Sequence, residues 1–189
     1  MSSASPSSSG VERQDFPPID GDHWIETLAD GARVLIRPLQ PDDRERERAF
    51  IERLSPESRR RRFLGEIREP SPALLDQLMK VDYRNAMAFV ALAHDNGELR
   101  EVGISRYAVD ADGKRCECAV TVADDWRHRG LAVILMRHLI HVARREGFTA
   151  LYSVDLAANT DMLDLASYLG FSRAPDPNDA TLVIHTLPL

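Results

Sequence analysis

The sequence predicts a single mixed α+β domain, and three observations carry that prediction. Two turn signals, Asn96-Gly97 and Asp112-Gly113, separate three apolar runs, which is the pattern of an antiparallel meander. A strand–helix–strand alternation follows over residues 116–156. Two Ser-Pro starts, Ser55-Pro56 and Ser71-Pro72, stand before polar, helix-forming stretches, where a serine caps and a proline fits the first helical position.

The elements follow in chain order. Residues 1–19 are rich in Ser, Pro and Gly and predict a disordered tail; residues 20–189 form the domain. Residues 32–39 (ARVLIRPL) read as the first strand. Residues 41–54 read as a helix with Pro41 and two aspartates at its start, where acids suit the helix dipole. Two short helices follow from Ser55 and Ser71. The runs AMAFVALA, EVGISRYAV and CECAVTV are the three meander strands. Residues 131–147 place Leu131, Leu135, Leu139 and Val142 on one helical face and Arg137, His141, Arg144 and Arg145 on another, with Gly147 as the stop. Residues 149–156 read as a strand, 161–170 as a helix closed by Gly170, and 181–187 as the last strand.

Composition narrows the function. The chain has 189 residues with a formal net charge of −6, the wrong sign for a protein that lives on nucleic acid or an anionic membrane, and a sign that suits a basic partner. The longest apolar run, residues 86–93, is too short to span a bilayer, and residues 1–10 carry no apolar signal segment. Cys116 and Cys118 stand two apart in a strand, read as packing, and leave no cysteine set for a metal; reduced cysteines point to the cytoplasm.

The stretch VTVADDWRHRGLA is where a site is expected. A strand ends, Arg127-His128-Arg129-Gly130 forms a cationic turn, and an amphipathic helix begins at once. A helix N-terminus offers unpaired N–H groups and a positive dipole end, and a glycine lets an anion approach the backbone. Neither a Walker loop nor a Rossmann fingerprint is present. Asp124 and Asp125 either cap this loop or attract a cationic substrate. Arg59 to Arg62 spread around a helical turn and read as a solvated face with one or two structural ion pairs; the alternative is that Arg61 or Arg62 reaches a phosphate or an acidic substrate.

Arg127, two residues, Gly130, one residue and Ala132 resemble the pyrophosphate-binding loop of the GNAT superfamily of acyl-CoA-dependent N-acyltransferases. The resemblance runs from about residue 31 to the end, with IRPLQPDD similar to the family's first strand and turn, and LGF to the end of its last helix. LSPESRRRRF, VDYRNAMAFVAL, ECAVTVADDWRHRGLA and LAANTDMLDLASYLGF together resemble the GNAT module of bacterial protein lysine acetyltransferases. This implies a mostly antiparallel sheet of six to seven strands, splayed between two parallel strands and flanked by about four helices. It also implies acetyl-CoA as co-substrate, no metal, and an amine acceptor.

The same resemblance implies roles for single residues. Val120, Thr121 and Val122 would offer backbone groups to the pantetheine arm, with the Val122 N–H toward the thioester oxygen. Arg127, His128, Arg129, Gly130, Leu131 and Ala132 would hold the pyrophosphate, and Asn159 would lie beside the pantetheine while it also reads as a helix cap. Glu117 would be the general base: it shares a strand face with Ala119 and Thr121, and an unpaired glutamate is costly to bury in so apolar a strand; the alternative is a structural carboxylate, paired or exposed at an edge. Many family members carry a tyrosine four residues before the Gly-Phe glycine as acid for the leaving thiolate. Here that position is Ala166, and Tyr168 lies roughly 200° away around the helix. The acceptor reads as a protein lysine; a small-molecule amine and a non-catalytic acyl-CoA sensor are the competing readings, and the oligomeric state is open.

Overall fold

The computed structural model describes residues 21–189, so the expected tail over 1–19 lies outside the described residues. Eight strands form one sheet: β1 (Trp24–Thr27), β2 (Arg33–Pro38), β3 (Ala86–Asp95), β4 (Glu98–Val109), β5 (Arg115–Val122), β6 (Ala150–Leu156), β7 (Ser172–Pro175) and β8 (Leu182–Pro188). Five α-helices accompany them: α1 (Arg44–Arg53), α2 (Pro56–Phe63), α3 (Pro72–Leu78), α4 (Leu131–Arg145) and α5 (Thr160–Leu169). The sheet order is β1-β2-β3-β4-β5-β6-β8-β7, antiparallel throughout except for the β5–β6 pair.

Two counts differ from the expectation of six to seven strands and about four helices. The added strands are short edges. β1 has four residues, and all four residues of β7 are exposed, so β7 is held by backbone pairing to β8 and shows no apolar alternation. All five helical segments picked out along the chain are α-helices, so "about four" was one too few.

Local chemistry explains the rest. Asn96 and Gly97 both have positive φ, 50° and 84°, and connect Asp95 to its partner Glu98 in a two-residue hairpin loop. Ser55 and Ser71 cap α2 and α3, accepting from the Ser58 and Leu74 N–H groups at 3.2 and 3.1 Å. Strand β3 is buried on both faces, which is why it reads as a continuous apolar run. One face carries α4, through Leu131, Leu135, Leu139 and Val142, together with Ala166 of α5; the other carries α1 and α3 through Phe50, Ile51, Leu75 and Leu78. Gly103 of β4 lets α4 sit close: a Cβ there would lie 3.0 Å from a Leu135 methyl and 3.2 Å from the Thr121 carbonyl oxygen.

The feature that positions the site is the β5–β6 pair. It holds for three residue pairs only, Arg115–Ala150, Cys116–Leu151 and Glu117–Tyr152. Beyond Glu117 the strands part, although β5 runs on to Val122 beside β4 and β6 to Leu156 beside β8.

Candidate active site

The splay opens a cavity of about 440 Å³ between the end of β5, the start of α4 and the face of α5. Which backbone groups face it follows from the β4–β5 ladder. The Ala123 N–H donates to the Val102 carbonyl at 2.9 Å, and Val122 stands opposite Gly103. Antiparallel alternation then turns the backbone groups of Thr121 and Ala119 toward β4 and those of Val120 and Val122 into the splay. Of the three expected residues, Thr121 therefore brings only its side chain; its Oγ1 is buried without a hydrogen-bond partner among the described residues.

The cationic turn closes one end of this cavity. His128 and Gly130 both take left-handed backbone, φ 59° and 84°, and the first bond of α4 runs from the Ile134 N–H to the Gly130 carbonyl at 3.2 Å. The N–H groups of Leu131, Ala132 and Val133 are left without helical partners at the positive end of a fifteen-residue helix. His128 is exposed and lines the cavity with Arg127, Gly130, Leu131 and Ala132. This cradle fits a pyrophosphate through backbone donors.

The two arginines of the turn are already engaged. Arg127 donates to Ser58 Oγ at 2.6 Å and lies 3.3 Å from Asp124. Asp124 in turn accepts from the Ser55 N–H (2.8 Å), Ser55 Oγ (3.0 Å) and Ser58 Oγ (2.6 Å), so it fastens the start of α2 to the turn. Burial works to raise its pKa, but the bonds from Ser58 and Ser55 and the Arg127 charge outweigh that and hold it below the usual carboxylate value. Arg129 lies over the Trp126 ring at 4.6 Å and pairs with Asp30 at 3.1 Å, which puts its side chain outside the cavity lining.

From the other side, Asn159 lines the cavity and also caps α5, its Oδ1 accepting from the Met162 N–H at 3.4 Å. Arg61 of α2 reaches Asp161 of α5 at 2.9 Å. Tyr168, which helical phase turned away, is in fact part of the lining, but 66% exposed, with its hydroxyl 3.3 Å from Arg137. Ala166 is buried in the core.

A second cavity of about 310 Å³ lies beside the first, with Glu117, Arg62, Gln77, Lys80 and Arg106 in its walls among apolar groups such as Leu78 and Met87. Glu117 is exposed there and has no hydrogen bond or ion pair to a described residue, so the burial anticipated from its apolar strand does not occur. Cys116 and Cys118, on the opposite face, are the buried ones. The pairing with β6 ends at Glu117, and the space above its carboxylate is the open cavity.

Of the arginine run, Arg62 lines both cavities, so the favoured solvated face does not hold for it and the alternative of a ligand-facing arginine does. Ser58, Arg61 and Arg62 are spaced as one helical face. Sequence reasoning missed one feature. Asp155 lines the first cavity and accepts from Ser153 Oγ at 2.6 Å, with His185 Nδ1 at 3.0 Å; no local signal joins residues of two strands this way. Among the described residues, no group of three or more His, Cys, Asp or Glu could hold a metal ion, and no helix is long and apolar enough to cross a membrane.

Comparison with known proteins decides the family, because the profile of the Acetyltransferase (GNAT) family matches residues 40–171. The chain is a GNAT acetyltransferase. This GNAT protein is 63% identical over 174 residues to Acetyltransferase PA5475 of Pseudomonas aeruginosa, covering 92% of the chain and 94% of that protein. It is 31% identical over 141 residues to Acetyltransferase Pat of Mycolicibacterium smegmatis, covering 74% of the chain but 41% of that longer protein. Its fold matches the crystal structure of the GNAT domain of S. lividans PAT with a TM-score of 0.80 at 24% identity, covering 88% and 97% of the two chains. The GNAT protein is thus an acyltransferase with a single GNAT fold, of a family that uses acetyl-CoA and acts on amines.

Proposed function

We propose that the protein transfers the acetyl group of acetyl-CoA to a protein lysine side chain, by direct attack of the amine with Glu117 as general base. The observation that carries this is the junction of two cavities at the point where β5 and β6 part. One has backbone donors for an extended arm and a pyrophosphate; the other has a carboxylate with no partner among the described residues. The Val120 and Val122 backbone groups would take the pantetheine as a short added strand, with the Val122 N–H toward the thioester oxygen. The cradle from Arg127 to Ala132 would hold the pyrophosphate through its N–H groups, with Arg127 held in place by Ser58 and Asp124 and Arg129 contributing backbone only. Asn159 would flank the pantetheine.

A lysine amine has a pKa near 10.4, so at neutral pH its attack needs a group to take the proton. Glu117 faces the cavity from which the amine would come. A covalent acyl-cysteine route is disfavoured: burial pushes the Cys116 thiol up to about 11, and burial with the nearby Asp155 and Glu117 charges pushes Cys118 higher still. The two buried thiols also suit a reducing cytoplasm.

The four segments that resemble the GNAT module of bacterial protein lysine acetyltransferases, and a net charge of −6 that suits a basic partner, support a protein acceptor. The second cavity, large enough at about 310 Å³ to take a small amine whole, favours a small-molecule acceptor as the second reading. The test is a panel of lysine peptides, polyamines, amino sugars and free amino acids, followed by CoA release and mass spectrometry. Acetylated lysine in the peptides is expected; turnover of small amines alone would replace the first reading by the second.

A further inference from the structure

Among the described residues, Arg62 is the one side chain that lines both cavities. The other arginines of the two cavity walls have partners: Arg61 with Asp161, Arg127 with Asp124, and Arg106 with Glu47 at 3.1 Å. Arg62 has no hydrogen bond or ion pair to a described residue; its guanidinium stands over the Phe63 ring at 5.0 Å. Burial, reinforced by the like charge of Arg106, pushes its pKa down to about 10, against the attraction of Glu47, Glu117 and Asp155. It stays a cation at neutral pH, half-buried and unpaired, and an arrangement of that cost calls for a reason.

The reason follows from the charge balance of the reaction. The N–C bond forms at the thioester carbon, the C–S bond breaks, and the sulfur departs with the bonding pair. The amine proton passes to Glu117, and the thiolate takes its own proton later from water. Negative charge therefore appears on the sulfur at the junction of the two cavities, and the α5 position where many family members carry the acid is here the buried methyl of Ala166. We propose that the Arg62 guanidinium is the catalytic group that stabilises the departing thiolate, in place of a protonating tyrosine. This rests on the acetyl-transfer reading above. Asp155, in the wall of the first cavity, adds negative charge near the departing sulfur, and the cation at the junction offsets it. A fixed cation in a partly desolvated site acts without reorganising during the reaction.

The test reads the thiol and does not depend on turnover. CoA is bound to the wild-type protein, and its thiolate is titrated by ultraviolet absorbance. Close to an opposite charge the thiol pKa should fall by about 1–3 pH units below that of free CoA. Arg62→Gln should return it toward the free value, and Arg62→Lys should keep part of the shift. A bound thiol that titrates in wild type like free CoA overturns the assignment without any variant. If Arg62→Gln leaves a lowered thiol pKa unchanged and raises only the acceptor KM, the guanidinium serves an anionic group on the acceptor, and the proposal falls. If wild type binds no CoA by calorimetry, the acetyl-transfer reading itself fails, and this one with it.

Discussion

Glu117→Gln should lower turnover at pH 7 by about 10²–10⁴-fold, the usual worth of general-base catalysis, while acetyl-CoA affinity stays near that of the wild type. The substitution keeps the shape of the side chain. It removes no hydrogen bond or ion pair to a described residue, and the site is exposed on the wall of the second cavity, so β5 and the splay should be undisturbed. The variant should regain activity as the pH rises toward the lysine pKa near 10.4, where free amine is populated without a base. Tyr168→Phe is the control. It removes one long contact of 3.3 Å to Arg137 from a residue that is 66% exposed, and turnover should be nearly intact. A Glu117→Gln enzyme with near-normal turnover at pH 7, beside a dead Tyr168→Phe enzyme, would make the tyrosine the working residue.

The second large effect is expected at Gly130. Its φ of 84° favours glycine, and a Cβ there meets no atom within 4 Å, so the space beside it is open. Gly130→Glu would put a carboxylate into that space, next to the N–H groups of Leu131 and Ala132. Like charges brought together at a binding surface cost several kcal/mol, which is a loss of about a hundredfold or more in acetyl-CoA affinity. Arg129→Ala should weaken binding only modestly, because that guanidinium rests on Trp126 and Asp30 away from the cavity. Calorimetric titration of the two variants checks both; unchanged affinity in Gly130→Glu would remove the pyrophosphate from this loop.

What was legible in the sequence was local. The Asn96-Gly97 hairpin, the Ser55 and Ser71 caps, the apolar strand β3 and the glycine before α4 each depend on neighbours within a few residues, and the structure shows them as read. The divergence of β5 from β6 was expected from the family resemblance alone, since three residue pairs out of two long strands leave no mark in periodicity. The edge strand β1 was missed because it has four residues and its half-buried positions, Trp24 and Glu26, are not both apolar, and β7 because it is exposed throughout. The burial expected of Glu117 did not occur, because strand composition says nothing of what covers a given face. A run of four arginines does not say which of them enters a cavity, so Arg62 stood only as an alternative beside Arg61, and the Ser153–Asp155–His185 group exists only once β6 and β8 are paired.

Residue-resolved amide hydrogen exchange with and without acetyl-CoA tests most directly whether the splay is the acetyl-CoA site. The Val120 and Val122 N–H groups face the open gap, whereas Thr121 already pairs with β4. Acetyl-CoA should therefore slow exchange at Val120, Val122, Leu131 and Ala132 and leave Thr121, slow from the start, almost unchanged. Protection that appears elsewhere, with the Val120 and Val122 amides exchanging as fast as in the free protein, would contradict the account.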